Sequence, residues 1–302
     1  MTTLPGAIDE ATILAKQEEL AAAPRLAAEL ATFEAEEDVA DAPDGPKLNN
    51  LAKAKRQLFE SDAAAFHEKS RAAFIKFNER MPEVILPRPQ ADSDHLHIFG
   101  PDGDGSGGPL DYKFQWSHLG NPFLSSAGAN FRNGTFSAYD YTTGGPASWT
   151  VAQVGIQLQP TLPSCKLSIR PYVRWSGHSH LKHRVFDASL GEQRWAFALG
   201  STGIAVQSWN ASGGGFFADG EHWVDHWSRH QANPSGILEY DGTDTASSGL
   251  QMEIYATSSR SYTIWATCRV CVVADPGFAV ATYATSAINC TAPFFVVEES
   301  PL

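Results

Sequence analysis

Lysine nearly disappears from this chain after residue 81, where only Lys113, Lys166 and Lys182 remain. The 302 residues carry 22 basic against 34 acidic side chains, a net charge of -12. A phosphate backbone is bound by Lys and Arg concentrated on one face, so this balance excludes nucleic acid as a partner. Cysteine is scarce too, with Cys165, Cys268, Cys271 and Cys290 its four occurrences. That is too few for a disulfide-held scaffold of this length. Cys268 and Cys271 have C-x-x-C spacing, but they lie in a β-rich run where residues three apart face opposite sides.

Long apolar runs are missing as well. No stretch of about 18 apolar residues occurs, which excludes a helical membrane span. Met1-Thr2-Thr3-Leu4-Pro5-Gly6 lacks the basic start and apolar core of a secretory signal. Read as a natural start, it predicts synthesis in the cytoplasm without a signal peptide, and it leaves later release as part of a particle open. Catalytic motifs are also absent. There is no G-x-S-x-G elbow, and Glu221-His222-Trp223-Val224-Asp225-His226 carries Trp where H-E-x-x-H needs its glutamate. No repeat of fixed period is present, which argues against a propeller or solenoid.

What is present divides the chain in two, and the fold class expected is α+β. Residues 7–37 are rich in Ala, Leu, Glu and Lys and read as helix, divided at Pro24. After the breaker Ala42-Pro43-Asp44-Gly45-Pro46, a second helix is predicted from Lys47 to Met81. Its apolar positions Leu51, Leu58, Phe59, Phe66, Phe74 and Phe77 recur at spacings near three, four and seven. Residues 1–45 carry 11 acidic and 2 basic side chains, whereas residues 46–81 carry 4 and 8. Such complements favour a helical hairpin, or long helices that pair between copies in a homo-oligomer. The region 1–81 is thus predicted to assemble or anchor the protein.

Residues 82–111 hold Pro87, Pro89, Pro101 and Pro109 and the run Asp102-Gly103-Asp104-Gly105-Ser106-Gly107-Gly108, and read as a linker or arm. Asp102 and Asp104 resemble the first half of a calcium loop, but Lys113 stands where the bidentate glutamate belongs. From residue 112 to 302 short β-like runs alternate with turn residues, as in Lys166-Leu167-Ser168-Ile169-Arg170 and Gln251-Met252-Glu253-Ile254-Tyr255. Many short strands without helical patterns between them predict a mainly antiparallel β-sandwich, jelly-roll-like in type.

All 8 tryptophans lie in this C-terminal part. Trp175, Trp209, Trp223 and Trp227 are candidate stacking platforms for a glycan, although an aromatic residue in a strand is more often core. Histidines cluster too. Within strands His178 and His180 would share a face, as would His222 and His226, a spacing that suits a divalent metal. By the same alternation Trp223 and Trp227 would share the opposite face of their strand. Three functions follow from these residues: a non-catalytic structural component of a virion, appendage or particle; a lectin-like carbohydrate-binding module; and a His-ligated metalloenzyme.

Overall fold

A computed structural model describes residues 10–21, 48–80, 93–101, 110–186, 194–210, 215–232, 236–244, 249–275, 277 and 279–302. Among these described residues are two helices and twelve strands: α1 (Glu10–Ala21), α2 (Asn50–Arg80), β1 (Leu96–Phe99), β2 (Phe114–His118), β3 (Ser126–Asn130), β4 (Thr135–Thr142), β5 (Gly145–Leu158) and β6 (Ser164–Val185), followed by β7 (Trp195–Asn210), β8 (Phe216–Ala232), β9 (Gly236–Asp244), β10 (Met252–Thr257), β11 (Arg260–Ala274) and β12 (Val280–Pro301).

The strands pair antiparallel in two sheets. One has seven strands, ordered β10-β6-β12-β4-β3, with β1 also on β12 and β9 also on β6. The other has five, ordered β2-β5-β11-β7-β8. β6 and β12, each 22 residues long, form the spine of the larger sheet and pair from Val280↔Val185 to Pro301↔Cys165. The chain crosses between sheets repeatedly, so neighbours in sequence are often not neighbours in a sheet. The main core fills the space between the sheets. β6 supplies Leu167, Ile169 and Val173 to it, β11 supplies Ile264, Ala266 and Val270, and β12 supplies Ile288 and Phe295.

β11 is buried on both of its faces, so its sequence reads as an almost continuous apolar run. Cys268 points into the core between the sheets, whereas Cys271 joins Trp195, Phe197 and Leu199 on the outer face. All four thiols are free and buried. At the β12 end, Glu299 accepts hydrogen bonds from the Thr161 and Leu162 amides, and its Oε1 lies 2.7 Å from His97 Nε2. Burial acts to raise this carboxyl, but those bonds outweigh it and hold it below its ordinary value.

The described helices do not form a hairpin with each other. α1 lies on the outer face of the five-stranded sheet, where Ile13 packs with Phe114, Trp116, Val151, Trp209 and Trp265. α2 lies on the outer face of the seven-stranded sheet, where Phe59, Ala63 and Phe74 meet Tyr139, Tyr141, Ala281 and Tyr283. Both sheets present aromatic surface outward, and each helix buries its apolar stripe there instead of against the other helix. The remainder of the expected first helix, residues 7–9 and 22–37, lies outside the described residues. α2 begins where Asn49 Oδ1 accepts from the Ala52 amide at 2.7 Å, an N-cap. It reaches Arg80, two residues before Pro82.

The stretch expected as a linker contributes β1, whose Leu96-His97-Ile98-Phe99 pairs with Val297 and its neighbours on β12. Proline and glycine on either side obscured a short apolar run that completes a sheet edge. Asp102 and Asp104 fall outside the described residues, as does most of that stretch.

Candidate functional site

Two surfaces gather the residues that the sequence singles out. The first is α2 and the layer beneath it. Phe59 and Phe66 pack on Tyr283, with ring centroids 5.7 Å apart in both pairs, and Phe74 packs on Tyr139 at 5.4 Å. His67 is buried among them. Its ring stacks on Tyr141 at 4.2 Å, and its Nδ1 lies 3.2 Å from the Tyr139 hydroxyl. Arg56 donates to the Gly277 carbonyl near one end of the helix, and Arg71 donates to the Phe123 carbonyl near the other at 3.3 Å.

The opposite face of α2 is uncovered by any described element. Leu51 and Leu58, expected as part of one apolar stripe with the phenylalanines, point away from the sheet and are 65% and 67% exposed. A helix of this pitch places residues seven apart on one line, and Leu51, Leu58, Ala65 and Ala72 form such a line, all exposed. Ala54 and Ile75 flank it and are exposed as well. The single predicted stripe is therefore two: one seats the helix and the other faces outward. Phe77 lies on α2, with its side chain outside the described residues.

The second surface is the outer face of the five-stranded sheet beside α1. The Arg269 guanidinium lies 4.0 Å from the Trp223 ring centroid and 5.0 Å from that of Trp149. β7 lies between β11 and β8, and its small Ser201 and Gly203 let these side chains meet across it. A Cβ added at Gly203 would stand 2.7 Å from the Trp223 ring. Trp223 Nε1 donates to Glu221 at 3.2 Å, and Ser201 donates to Asp225 at 2.6 Å. Glu221 and Asp225 are exposed and Trp223 is half-buried.

The other three tryptophans are enclosed. Trp209 is buried beneath α1 beside Phe216. Trp175 and Trp227 lie in the core between the sheets. Trp227 donates to Ser286 at 3.0 Å, and its ring occupies the space that a side chain on Gly177 or Gly200 would need. Trp223 and Trp227 thus occupy opposite faces of β8. The cause is a β-bulge: Ser201 pairs with Asp225 and Gly200 with Trp227, which leaves His226 as the extra residue. His226 turns inward with Trp227, stacks on Trp175 at 3.9 Å, and meets the Thr202 hydroxyl at 2.8 Å.

The expected histidine pair stays on one side of β8, where His222 pairs with Ile204 and His226 meets Thr202, but the two rings have different surroundings. His222 is exposed and lies 3.3 Å from the Gly249 carbonyl, whereas His226 is between the sheets. His180 stands edge-on to Phe66 beneath α2, 4.5 Å between centroids, and His178 precedes it by two residues on β6. Among the described residues no three histidine, cysteine or carboxylate side chains converge as metal ligands do.

Sequence reasoning passed over Trp149, Arg269, His67 and Asp140. Asp140 is fully buried on β4 and accepts from Ser125 at 2.7 Å, Thr150 at 3.1 Å and the Tyr141 amide at 2.9 Å. Burial drives its carboxyl up to about 6, against the pull of those donors. A carboxylate between two tyrosines, the one charged residue of its strand, was the available signal. Burial raises the neighbouring Tyr139 hydroxyl to about 12.

No family model matches this chain, and no curated protein matches it. Among solved structures it is similar to the enzymatically active domain of bacteriophage CBA120 tailspike protein 4, at 11% identity and a TM-score of 0.19, over 68% of this chain and 20% of that one. It is also similar to a carbohydrate-binding module in complex with β-1,4-galactotriose, at 9% identity and a TM-score of 0.17, covering 66% and 95%. A third likeness is to infectious bursal disease virus, Gt strain, at 10% identity and a TM-score of 0.10, covering 72% and 47%. Likenesses this slight carry no argument about function.

Proposed function

We propose that this protein is a non-catalytic assembly component that self-associates through α2, with the β-sandwich as the body that each copy contributes to a larger particle. The outward line of Leu51, Leu58, Ala65 and Ala72 carries the reading. Apolar side chains at heptad spacing on an exposed helix face, here two leucines and two alanines, are a pattern by which helices pair. The occupant is a second copy of this chain. The helical region from residue 46 to 81 is basic and residues 1–45 are strongly acidic, so copies meet with complementary charge. Release in a particle is compatible with this role.

The test is the solution mass of the intact chain, by light scattering, beside a Leu51→Glu/Leu58→Glu variant. A defined oligomer for the native chain and a folded monomer for the variant is the expected result. A monomeric native chain, or a variant of unchanged mass, overturns the proposal. Charged substitutions on an exposed face are better suited than removal of the helical region, because removal would uncover the aromatic faces that α1 and α2 bury.

A second reading has one specific support. Trp223 is the one of the four tryptophan candidates that is not enclosed, and exposed Glu221 and Asp225 flank it. An indole beside two carboxylates suits a neutral sugar, which stacks on the ring and donates its hydroxyls. This glycan site is compatible with the assembly role.

A further inference from the structure

We infer that the contact between α2 and the seven-stranded sheet is an acid-sensitive latch, in which protonation of His67 loosens the helix while the sandwich beneath it stays closed. The inference goes beyond self-association and does not depend on it, since it concerns the face of α2 turned toward the sheet. Its basis is the composition of that contact. Beside two alanines, α2 seats on a layer of tyrosine and imidazole.

His67 lies at the middle of this layer with its ring flat on Tyr141 and its Nδ1 at the Tyr139 hydroxyl. Both β4 partners are neutral phenols. Neither supplies a negative charge for an imidazolium. On α2 itself, Glu68 lies 3.9 Å from Nε2 but is largely exposed, and Arg71 adds positive charge. β12 contributes Tyr283, and β6 contributes His180 and Lys182, whose ammonium lies over the Phe59 and Tyr283 rings. β3 contributes no titratable side chain. Among the described residues, a proton on His67 would therefore enter a layer edged by the cations Arg71 and Lys182, with Arg184 over the neighbouring Phe186 ring, and the anion Glu68 faces solvent.

Burial accordingly holds His67 below its ordinary value of 6.5, with Glu68 opposing and Arg71 adding to the effect. The sign follows from linkage. The detached helix takes up a proton as pH falls through about 6.5 and the seated helix does not, so seating weakens as the medium is acidified. Asp140 lies on the same strand with its side chain on the opposite face, and it responds the other way. Its carboxyl is protonated near 6 in the folded protein but only near 3.8 when exposed, so the sandwich gains stability as pH falls. One mildly acid interval thus loosens the helix and firms the sheets.

The experiment is hydrogen exchange of the intact protein at about pH 7.5 and about pH 5, corrected for intrinsic exchange, the interval in which histidine titrates. Expected is a loss of protection within residues 50–80 at the lower pH, with no loss in β6, β11 and β12. In His67→Phe, which keeps the stacking and cannot be charged, the loss should disappear. His180→Phe should retain it. Unchanged protection of residues 50–80 in the native protein, equal loss across the strands, or persistence of the loss in His67→Phe would each overturn the inference.

Discussion

The two outer faces of the sandwich are both aromatic, but they are covered in different ways. α1 rests on the five-stranded sheet through one fully buried aliphatic residue, Ile13, set among tryptophans. Polar contacts at its rim hold it in place: Trp116 Nε1 donates to Glu18 at 3.2 Å, and Lys16 lies over the Phe216 ring. α2 rests on the seven-stranded sheet through phenylalanine, tyrosine and imidazole, with His67 inside the contact. The first contact has no buried titratable group at its centre, and the second does. Apolar burial alone is insensitive to pH, so the placement of one imidazole decides which helix responds to the medium.

The largest effects that would break this comparison come from emptying each contact. Phe74→Ala and Ile13→Ala should each lower stability by about 2 to 5 kcal/mol, the range for large-to-small substitution at buried sites. Hydrogen exchange should locate the first loss in α2 and the second in α1. A loss shared by both helices in either variant would mean that the two faces are not independent.

A change of intermediate size sharpens the contrast in pH response. Native stability, measured by urea unfolding, should contain a component that grows as pH falls from about 7 toward about 4. It comes from Asp140, whose carboxyl stands near 6 in the fold against 3.8 when exposed. The difference corresponds to about 3 kcal/mol at most. This component is fully present below the unfolded value and is lost as pH rises through the folded one. Asp140→Asn should lack it, while its helix α2 still loosens with acid.

The smallest effect on stability is expected at the partly open end of the five-stranded sheet. Trp223→Ala should cost less than about 1 kcal/mol, because the ring is half-buried and its neighbours remain in place. The same variant should abolish any quenching of tryptophan fluorescence by neutral oligosaccharides. Quenching that survives it would place glycan binding elsewhere.

Much of the architecture was legible because strand alternation and turn residues are local signals. The shift from helical to strand composition along the chain, the antiparallel pattern and the opposed faces of Cys268 and Cys271 all depend on neighbours within a few positions. What escaped was set by contacts distant in sequence. No local feature of Glu221–His230 reveals that β7 will pair with β8 one residue out of step at His226, yet that step moves Trp227 into the core and parts it from Trp223. Likewise, the periodicity of α2 identifies apolar positions without telling Leu58, which faces outward, from Phe59, which meets Tyr283. The complementary charges suggested that the helices would seek each other. The aromatic outer faces of the sheets, assembled from strands far apart in the chain, offered each helix more apolar surface to bury.

Trp227 leaves a mark on how this protein can diverge. The ring reaches from β8 to Gly200 on β7 and across to Gly177 on β6, where a Cβ would stand 2.0 Å and 2.3 Å from its atoms. Neither glycine has a backbone conformation that demands glycine, since neither has positive φ. What keeps them is the neighbour's bulk and, at Gly177, also the Ala287 carbonyl oxygen, 2.6 Å from where a Cβ would stand. The three positions therefore form a single heritable unit: in descendants of this chain a side chain at 177 or 200 should arise only after residue 227 has become smaller, and lineages that keep the tryptophan should keep both vacancies beside it.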